Sequence, residues 1–185
     1  LNWQSSNLAG SIMYAAPAVG SNGNIFVVSS QSLWDDFVLY AYLPNGSLSW
    51  SYDYLGFEGN GVQMSPTVDS NNNVYVGTYW SEFWPAGMHS LRNDQLNWTR
   101  DARCTHSSPA CDSQILYYGT DEGLEARGSD GALLWAYLTA SSIRFSSPAL
   151  DGQGTVYVGT VFGQLLAISN DGNLIWSADN LLDPV

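Results

Sequence analysis

Aromatic rings beside carboxylates are the groups in this sequence best suited to act on another molecule. Trp34, Asp35, Asp36 and Phe37 fall in SSQSLWDDF, and Trp80, Glu82, Phe83 and Trp84 in TYWSEFWPAG. Tyr52, Tyr54 and Phe57 fall in SYDYLGFEGNG, which reads as an adjoining connecting loop, with Asp53 and Glu58 among them. Such a mix suits a sugar, a cation or a protein surface, because ring faces attract cations and buried aromatics anchor interfaces. Two readings stay open. Either the rings are presented to a ligand or partner, or they fold back and cap the elements beneath them.

Other chemistry lacks its pattern. His89 and His106 make no zinc spacing. No Ser-His-Asp set and no phosphate-binding glycine loop is recognisable. Asp35 with Asp36, and Asp121 with Glu122, are sequence neighbours that read as solvated loop residues. Asp69, Asp112 and Asp151 recur at equivalent places and read as turn residues bonding their own backbone, with calcium ligation as the alternative. No catalytic, cofactor-binding or metal residue is therefore assigned, and the sequence leans away from an enzyme. Cys104 and Cys111 are the two cysteines. Extended chain would hold them roughly 23 Å apart, so a disulfide requires the loop between them to curl back. Asn45 in NGS and Asn97 in NWT are N-glycosylation triplets.

Composition narrows the class of partner. The 185 residues are 45% hydrophobic, enough for a packed core, and 17 acidic residues against 5 basic ones give a net charge of -12. All five basic residues are arginine. That charge disfavours nucleic acid and anionic membrane surfaces, and no run reaches the roughly 18 apolar residues of a spanning helix. The opening LNWQSSNLAG has neither the basic start nor the apolar run of a secretory leader, as expected of a mature form or a piece of a longer chain.

The elements that position these residues repeat. SSPALDGQGTVYVGT from Ser146 has relatives in SSPACDSQILYYGT from Ser107, MSPTVDSNNNVYVGT from Met64 and AAPAVGSNGNIFVVS from Ala15. Their shared prolines are Pro17, Pro66, Pro109 and Pro148. Each copy continues into a second half: AYLPNGSLSW, HSLRNDQLNW, ARGSDGALLW or AISNDGNLIW, ending at Trp50, Trp98, Trp135 and Trp176. A fifth such ending, LNW with Trp3, opens the chain. Every copy reads as four short strands: alternation of apolar and polar residues marks TVYVGT, and Asn-Gly, Asn-Asp or Asp-Gly marks a tight hairpin before the last strand. Four-stranded units of roughly 40–50 residues predict an all-β propeller. The units run approximately over 11–52, 60–100, 103–137 and 142–178, with 1–6 as a surplus outer strand, in one domain over 1–185.

The pattern SPA-x-D-x-x-G-x-V-Y-V-G-T…G-x-L-x-A-I-x-x-D-G-x-L-x-W resembles the pyrroloquinoline-quinone-type propeller repeat. That repeat occurs in quinoprotein dehydrogenases and in non-catalytic relatives, including the bacterial outer-membrane barrel-assembly lipoprotein and assorted secreted propellers. The resemblance covers nearly the whole chain and is strongest over 141–178. It implies that Trp3, Trp50, Trp98, Trp135 and Trp176 each dock onto a neighbouring blade. It implies a non-catalytic binding, scaffold or assembly module outside the cytoplasm (extracellular, cell-surface or periplasmic) with protein or glycan partners. The alternatives are a fragment of a quinone-dependent dehydrogenase, which would need the quinone and calcium, and a sensor or adhesion domain of a larger surface protein. The adjacent cysteine pair of the dehydrogenases is absent from the sequence.

Propellers of this family have six to eight blades, so four blades plus a leading strand leave a partial ring. Completion is expected either from further blades of the same polypeptide or from further copies of the chain. In such a ring the loops joining second to third strands share a face with those joining one blade to the next. TYWSEFWPAG and SSQSLWDDF are expansions there, set against the minimal DEG and VFG.

Overall fold

The computed structural model describes residues 15–30, 37–53, 64–78, 87–101, 106–143 and 145–179. Sixteen strands form four antiparallel four-stranded sheets, each paired in chain order. The first sheet is β1 (Ala18–Val19), β2 (Ile25–Ser30), β3 (Phe37–Tyr42) and β4 (Leu48–Asp53). The second is β5 (Thr67–Val68), β6 (Val74–Thr78), β7 (Gly87–Arg92) and β8 (Gln95–Asp101). The third is β9 (Ala110–Cys111), β10 (Ile115–Gly119), β11 (Gly123–Gly128) and β12 (Leu133–Leu138), and the fourth is β13 (Ala149–Leu150), β14 (Val156–Gly159), β15 (Leu165–Ile168) and β16 (Leu174–Ala178). This is β-propeller architecture, with the inner strands β1, β5, β9 and β13 in succession. No closed ring is formed among the described residues.

The core lies between the blades. One apolar cluster joins Phe26, Leu39 and Ala41 of blade 1 to Val74, Val76 and Met88 of blade 2 and Leu116 and Tyr118 of blade 3. A second joins Tyr117 and Leu124 of blade 3 to Val158, Leu166 and Ile168 of blade 4. Strand β6 has a neighbour on both faces and is buried throughout, whereas β14 at the end of the array alternates buried and half-buried residues.

Two hydrogen-bond series tie the inner edge together. The residue before each proline is held extended by the ring that follows it, and its N–H points at the next blade. Ala16 donates to Ser65 Oγ (2.8 Å), Ser65 to Ser108 Oγ (2.9 Å) and Ser108 to Ser147 Oγ (3.1 Å). In the neighbouring turns, Ser21 Oγ donates to the Ser70 carbonyl and Ser70 Oγ to the Ser113 carbonyl.

A bulge recurs at one place in every blade, between Ala41/Tyr42, Ser90/Leu91, Ala126/Arg127 and Ala167/Ile168. It sets the tryptophan opposite a small residue: Ala41 with Trp50, Ser90 with Trp98, Ala126 with Trp135, Ala167 with Trp176. Over that small residue the indole reaches an aromatic on the second strand. Phe26–Trp50, Tyr75–Trp98, Tyr117–Trp135 and Tyr157–Trp176 have ring centroids 5.8–5.9 Å apart, tilted by 40–51°. Such tilted contacts suit the quadrupoles of both rings.

Candidate binding face

Two of the tryptophans, Trp98 and Trp135, bond a turn of the next blade. Trp98 donates Nε1–H to the Ser129 carbonyl of blade 3 (2.9 Å), and Trp135 donates to the Asn170 carbonyl of blade 4 (2.7 Å). Each indole lies on a glycine of the accepting turn, Gly131 or Gly172, both at φ +80. A Cβ there would come within 2.8 Å of the indole, so the glycine serves both the left-handed backbone and the close approach. Arg100 adds its guanidinium 5.6 Å from the Trp98 ring centre and donates to the Gly131 carbonyl. Trp98 is 8% exposed, whereas Trp176, with no further turn against it among the described residues, is 43% exposed. Trp3 lies outside the described residues.

The opposite end of each blade carries the loops of interest. Four strand pairs set their roots. The last paired positions of the second and third strands enclose 120–123 in blade 3 and 160–164 in blade 4, against 31–36 in blade 1 and 79–86 in blade 2. The added residues of blades 1 and 2 thus emerge at the same end as the links between blades. Trp34, Asp35, Asp36, Tyr54, Phe57, Trp80, Glu82, Phe83 and Trp84 lie outside the described residues. Phe37 opens β3, paired with Ser30. Tyr52 is a correction: it belongs to β4, paired with Leu39, and packs half-buried against the core. Trp50 and Tyr52 alternate with exposed Ser51 and Asp53, so Tyr52 shares the tryptophan's inward face and is not part of the loop.

Among the described residues this end has a cleft of its own. Ile143, in the link from blade 3 to blade 4, is fully buried and donates its N–H to the Thr120 carbonyl (3.1 Å). It presses on Gly119, where a Cβ would meet its side chain at 2.5 Å. Blade 4 reproduces the seat: Gly159 N–H is held by Ser146 Oγ (2.8 Å), as Gly119 N–H is by Ser107 Oγ (3.3 Å). There, Phe145, Ser146, Gly159, Thr160 and Val161 line an open cleft of about 460 Å³. Phe145 and Phe162 stand 70% and 71% exposed at its end of the blade, and Phe145 stacks on His106 (5.2 Å, 28°). Neither phenylalanine stands out in the sequence, because both sit in loops of ordinary length.

The recurrent aspartates are consumed by their turns. Asp69 accepts N–H bonds from Asn71 and Asn73, and also binds the Asn73 amide and the Tyr75 hydroxyl (2.9 Å). Asp151 accepts from Gln153, Thr155 and the Tyr157 hydroxyl. Those backbone N–H groups hold the Asp151 carboxyl below its usual range. Burial, then the bond to Asp69, pushes the Tyr75 hydroxyl well above its ordinary pKa. Blade 3 differs: its turn is one residue shorter, and Asp112 accepts only from Gln114 and Ile115. The Tyr117 hydroxyl is left buried with no hydrogen bond of good geometry; burial and the nearby Asp112 carboxylate push its pKa up to about 12. No group of three or more His, Cys, Asp or Glu is placed to hold a metal among the described residues.

His89 is a packed strand residue, between Thr78 Oγ1 (3.2 Å) and Thr99 Oγ1 (3.1 Å), and burial lowers its pKa to about 4. Cys111 carries a free thiol 3.6 Å from Thr67 Oγ1, its pKa raised by burial. No disulfide joins it, and Cys104 lies outside the described residues. Half-buried Arg127 pairs with Glu125 (2.8 Å) and Tyr118 donates to the same carboxylate (2.7 Å). This group supports the core between blades 2 and 3.

No helix among the described residues is long and apolar enough to cross a membrane. No protein-family model matches the chain, and no curated protein matches it in sequence. Solved structures share its fold. Streptogramin B lyase superposes with a TM-score of 0.67 at 11% identity, over 96% of this chain and 57% of that one. BamB from Moraxella catarrhalis superposes at 0.56 and 12% identity, over 91% of this chain and 65% of that one. Quinohemoprotein alcohol dehydrogenase from Comamonas testosteroni superposes at 0.56 and 12% identity, over 96% and 44%. The chain spans less than two thirds of each of these proteins, and the likeness is one of fold.

Proposed function

We propose that this propeller is a non-catalytic binding and assembly module working outside the cytoplasm, with a protein or glycan as partner. The observation that carries the reading is the placement of the two expanded segments. Their roots, at 30–37 and 78–87, open at the same end of adjacent blades, where the sequence concentrates Trp34, Asp35, Asp36, Trp80, Glu82 and Trp84. Aromatic and acidic groups gathered on neighbouring loops of a rigid scaffold suit recognition. The fold likeness extends to BamB and to two enzymes alike, so it bears on architecture and leaves the loops to carry the reading. Glycan and peptide arrays probed with the protein test it: binding that Trp80→Ala and Trp84→Ala abolish supports the reading, and unchanged binding by both variants refutes the role of these loops.

Self-association is a second part of the proposal. Trp176 stands open where Trp98 and Trp135 are each seated on a turn, and the Gly159–Val161 cleft matches the seat filled by Ile143 on blade 3. Another blade of this repeat is the occupant that would suit both. A head-to-tail contact of this kind closes into a ring when the rotation allows. Native mass measurement checks it: a mass above 20.2 kDa that falls to the monomer on Trp176→Ala supports self-association, and a monomer throughout excludes it.

A further inference from the structure

The two N-glycosylation triplets are equivalent in sequence, and in both the asparagine and the hydroxyl residue are exposed; they differ in what those groups bond and in the burial of the middle residue. Asn45 sits in the turn between β3 and β4, in the exposed run Leu43–Asn45, with Gly46 at φ +85. The turn is closed by Gly46 N–H to the Leu43 carbonyl and Leu43 N–H to the Ser47 carbonyl, both 2.9 Å. Asn45 Oδ1 accepts the Ser47 N–H (3.0 Å). That bond bends the triplet and engages the amide oxygen, and Asn45 and Ser47 are both exposed.

Asn97 lies within β8, at the bulge between paired residues Leu96 and Trp98. Its Nδ2 is directed back at Ser90 Oγ (3.4 Å) and Asn73 Oδ1 (3.5 Å). The triplet's hydroxyl, Thr99 Oγ1, bonds His89 Nδ1 (3.1 Å). Its middle residue is Trp98, buried and tied to Ser129 in the next blade. Freeing this triplet would unlatch β8 and break a junction between blades.

We infer that Asn45 is a glycan acceptor and that Asn97 is not. The donor is an oligosaccharide carried on a lipid diphosphate. A bond forms between Asn45 Nδ2 and the anomeric carbon while the bond from that carbon to the diphosphate oxygen breaks. The lipid diphosphate leaves with the electron pair, and Nδ2 gives up a proton to the transferase. The sugar projects from the end of the blade opposite the 30–37 and 78–87 segments, so it leaves the proposed binding face clear. It also leaves blade stacking undisturbed: Asp130 and Asp171, the counterparts of Asn45 in blades 3 and 4, stay exposed although a tryptophan of the preceding blade is seated on each turn.

The inference rests on the extracytoplasmic reading for its relevance in the native host, and the experiment separates the two. The full chain is secreted from a eukaryotic host behind a cleavable leader, and site occupancy is read by mass spectrometry of glycopeptides. Most secreted molecules carry glycan at Asn45, Asn97 is empty, Asn45→Gln and Ser47→Ala each abolish the modification, and Asn97→Gln leaves it unchanged. Secreted, folded protein with Asn45 empty, or with Asn97 as the occupied site, overturns the inference. Finding the native protein in the cytoplasm would refute the compartment and leave acceptor competence standing.

Discussion

Truncating Trp98 and Trp176 to alanine should have very different costs. Both indoles lie over a small residue and a tyrosine of their own blade. Only Trp98 is also seated on a turn of the next blade, 8% exposed against 43% for Trp176. Trp98→Ala opens a cavity between blades 2 and 3, removes the ring pair with Tyr75 and orphans the Ser129 carbonyl. Large-to-small changes of this kind cost about 3–5 kcal/mol, of which the ring pair accounts for roughly 0.5–1.5 kcal/mol. Trp176→Ala in the monomer loses the ring pair and part of the apolar burial, roughly 1–2 kcal/mol. The gap of about 1–4 kcal/mol corresponds to roughly 2–4 °C in Tm per kcal/mol for a chain of this size. Urea melts on both variants, at concentrations where the protein is monomeric, measure it. Trp98→Phe should fall between, at about 1–3 kcal/mol, since it keeps a ring and orphans the same carbonyl. Equal costs for Trp98→Ala and Trp176→Ala would show that seating the indole on the next blade contributes nothing, and would refute the account of how blades are joined.

Other consequences can be measured alongside. Tyr75→Phe removes a bond to the Asp69 carboxylate and should cost about 1.5–3 kcal/mol, whereas Tyr117→Phe discards an unbonded buried hydroxyl and should be near neutral or stabilising in the same melts. His89 has a folded pKa of about 4, below the usual 6.5, so the unfolded chain binds more protons between those values. Its contribution is complete above about pH 6.5 and declines as pH falls toward 4, by roughly 3 kcal/mol in all; His89→Gln should flatten that slope. Asp151, with its pKa lowered by backbone N–H groups, contributes stability above the ordinary carboxylate range and loses it as pH falls through its folded pKa; Asp151→Asn should remove that part of the acid limb. Gly131→Val meets both the left-handed backbone and the Trp98 indole and should destabilise by more than 2 kcal/mol, a loss that Trp98→Ala in the same chain would partly relieve.

The blades were legible in the sequence because two signals agree in every copy. Alternation in NVYVGT and TVYVGT marks strands, and the recurring tryptophan fixes where a unit ends. Small residues carry no such mark. Ala41, Ser90, Ala126 and Ala167 look incidental, yet they make room for the indole, and the adjacent bulge follows from hairpin geometry that composition does not reveal. The shorter turn before Tyr117 was visible as a missing residue in CDSQILYY, but its effect, a stranded hydroxyl, depends on the reach of Asp112 in three dimensions. Tyr52 reads as a loop residue in the sequence, whereas pairing with Leu39 keeps it in β4. The contrast between Asn45 and Asn97 lies wholly in their partners, which no triplet encodes.

On the proposed function, the expanded segments of blades 1 and 2 carry recognition while the scaffold beneath them is independent. The most direct measurement replaces 29–38 and 78–87, the register equivalents of Thr120–Gly123, with that blade 3 segment and compares the product with the parent on the same glycan and peptide arrays. The account predicts a cooperative melt within a few degrees of the parent and loss of array binding. Binding that survives the replacement would contradict it.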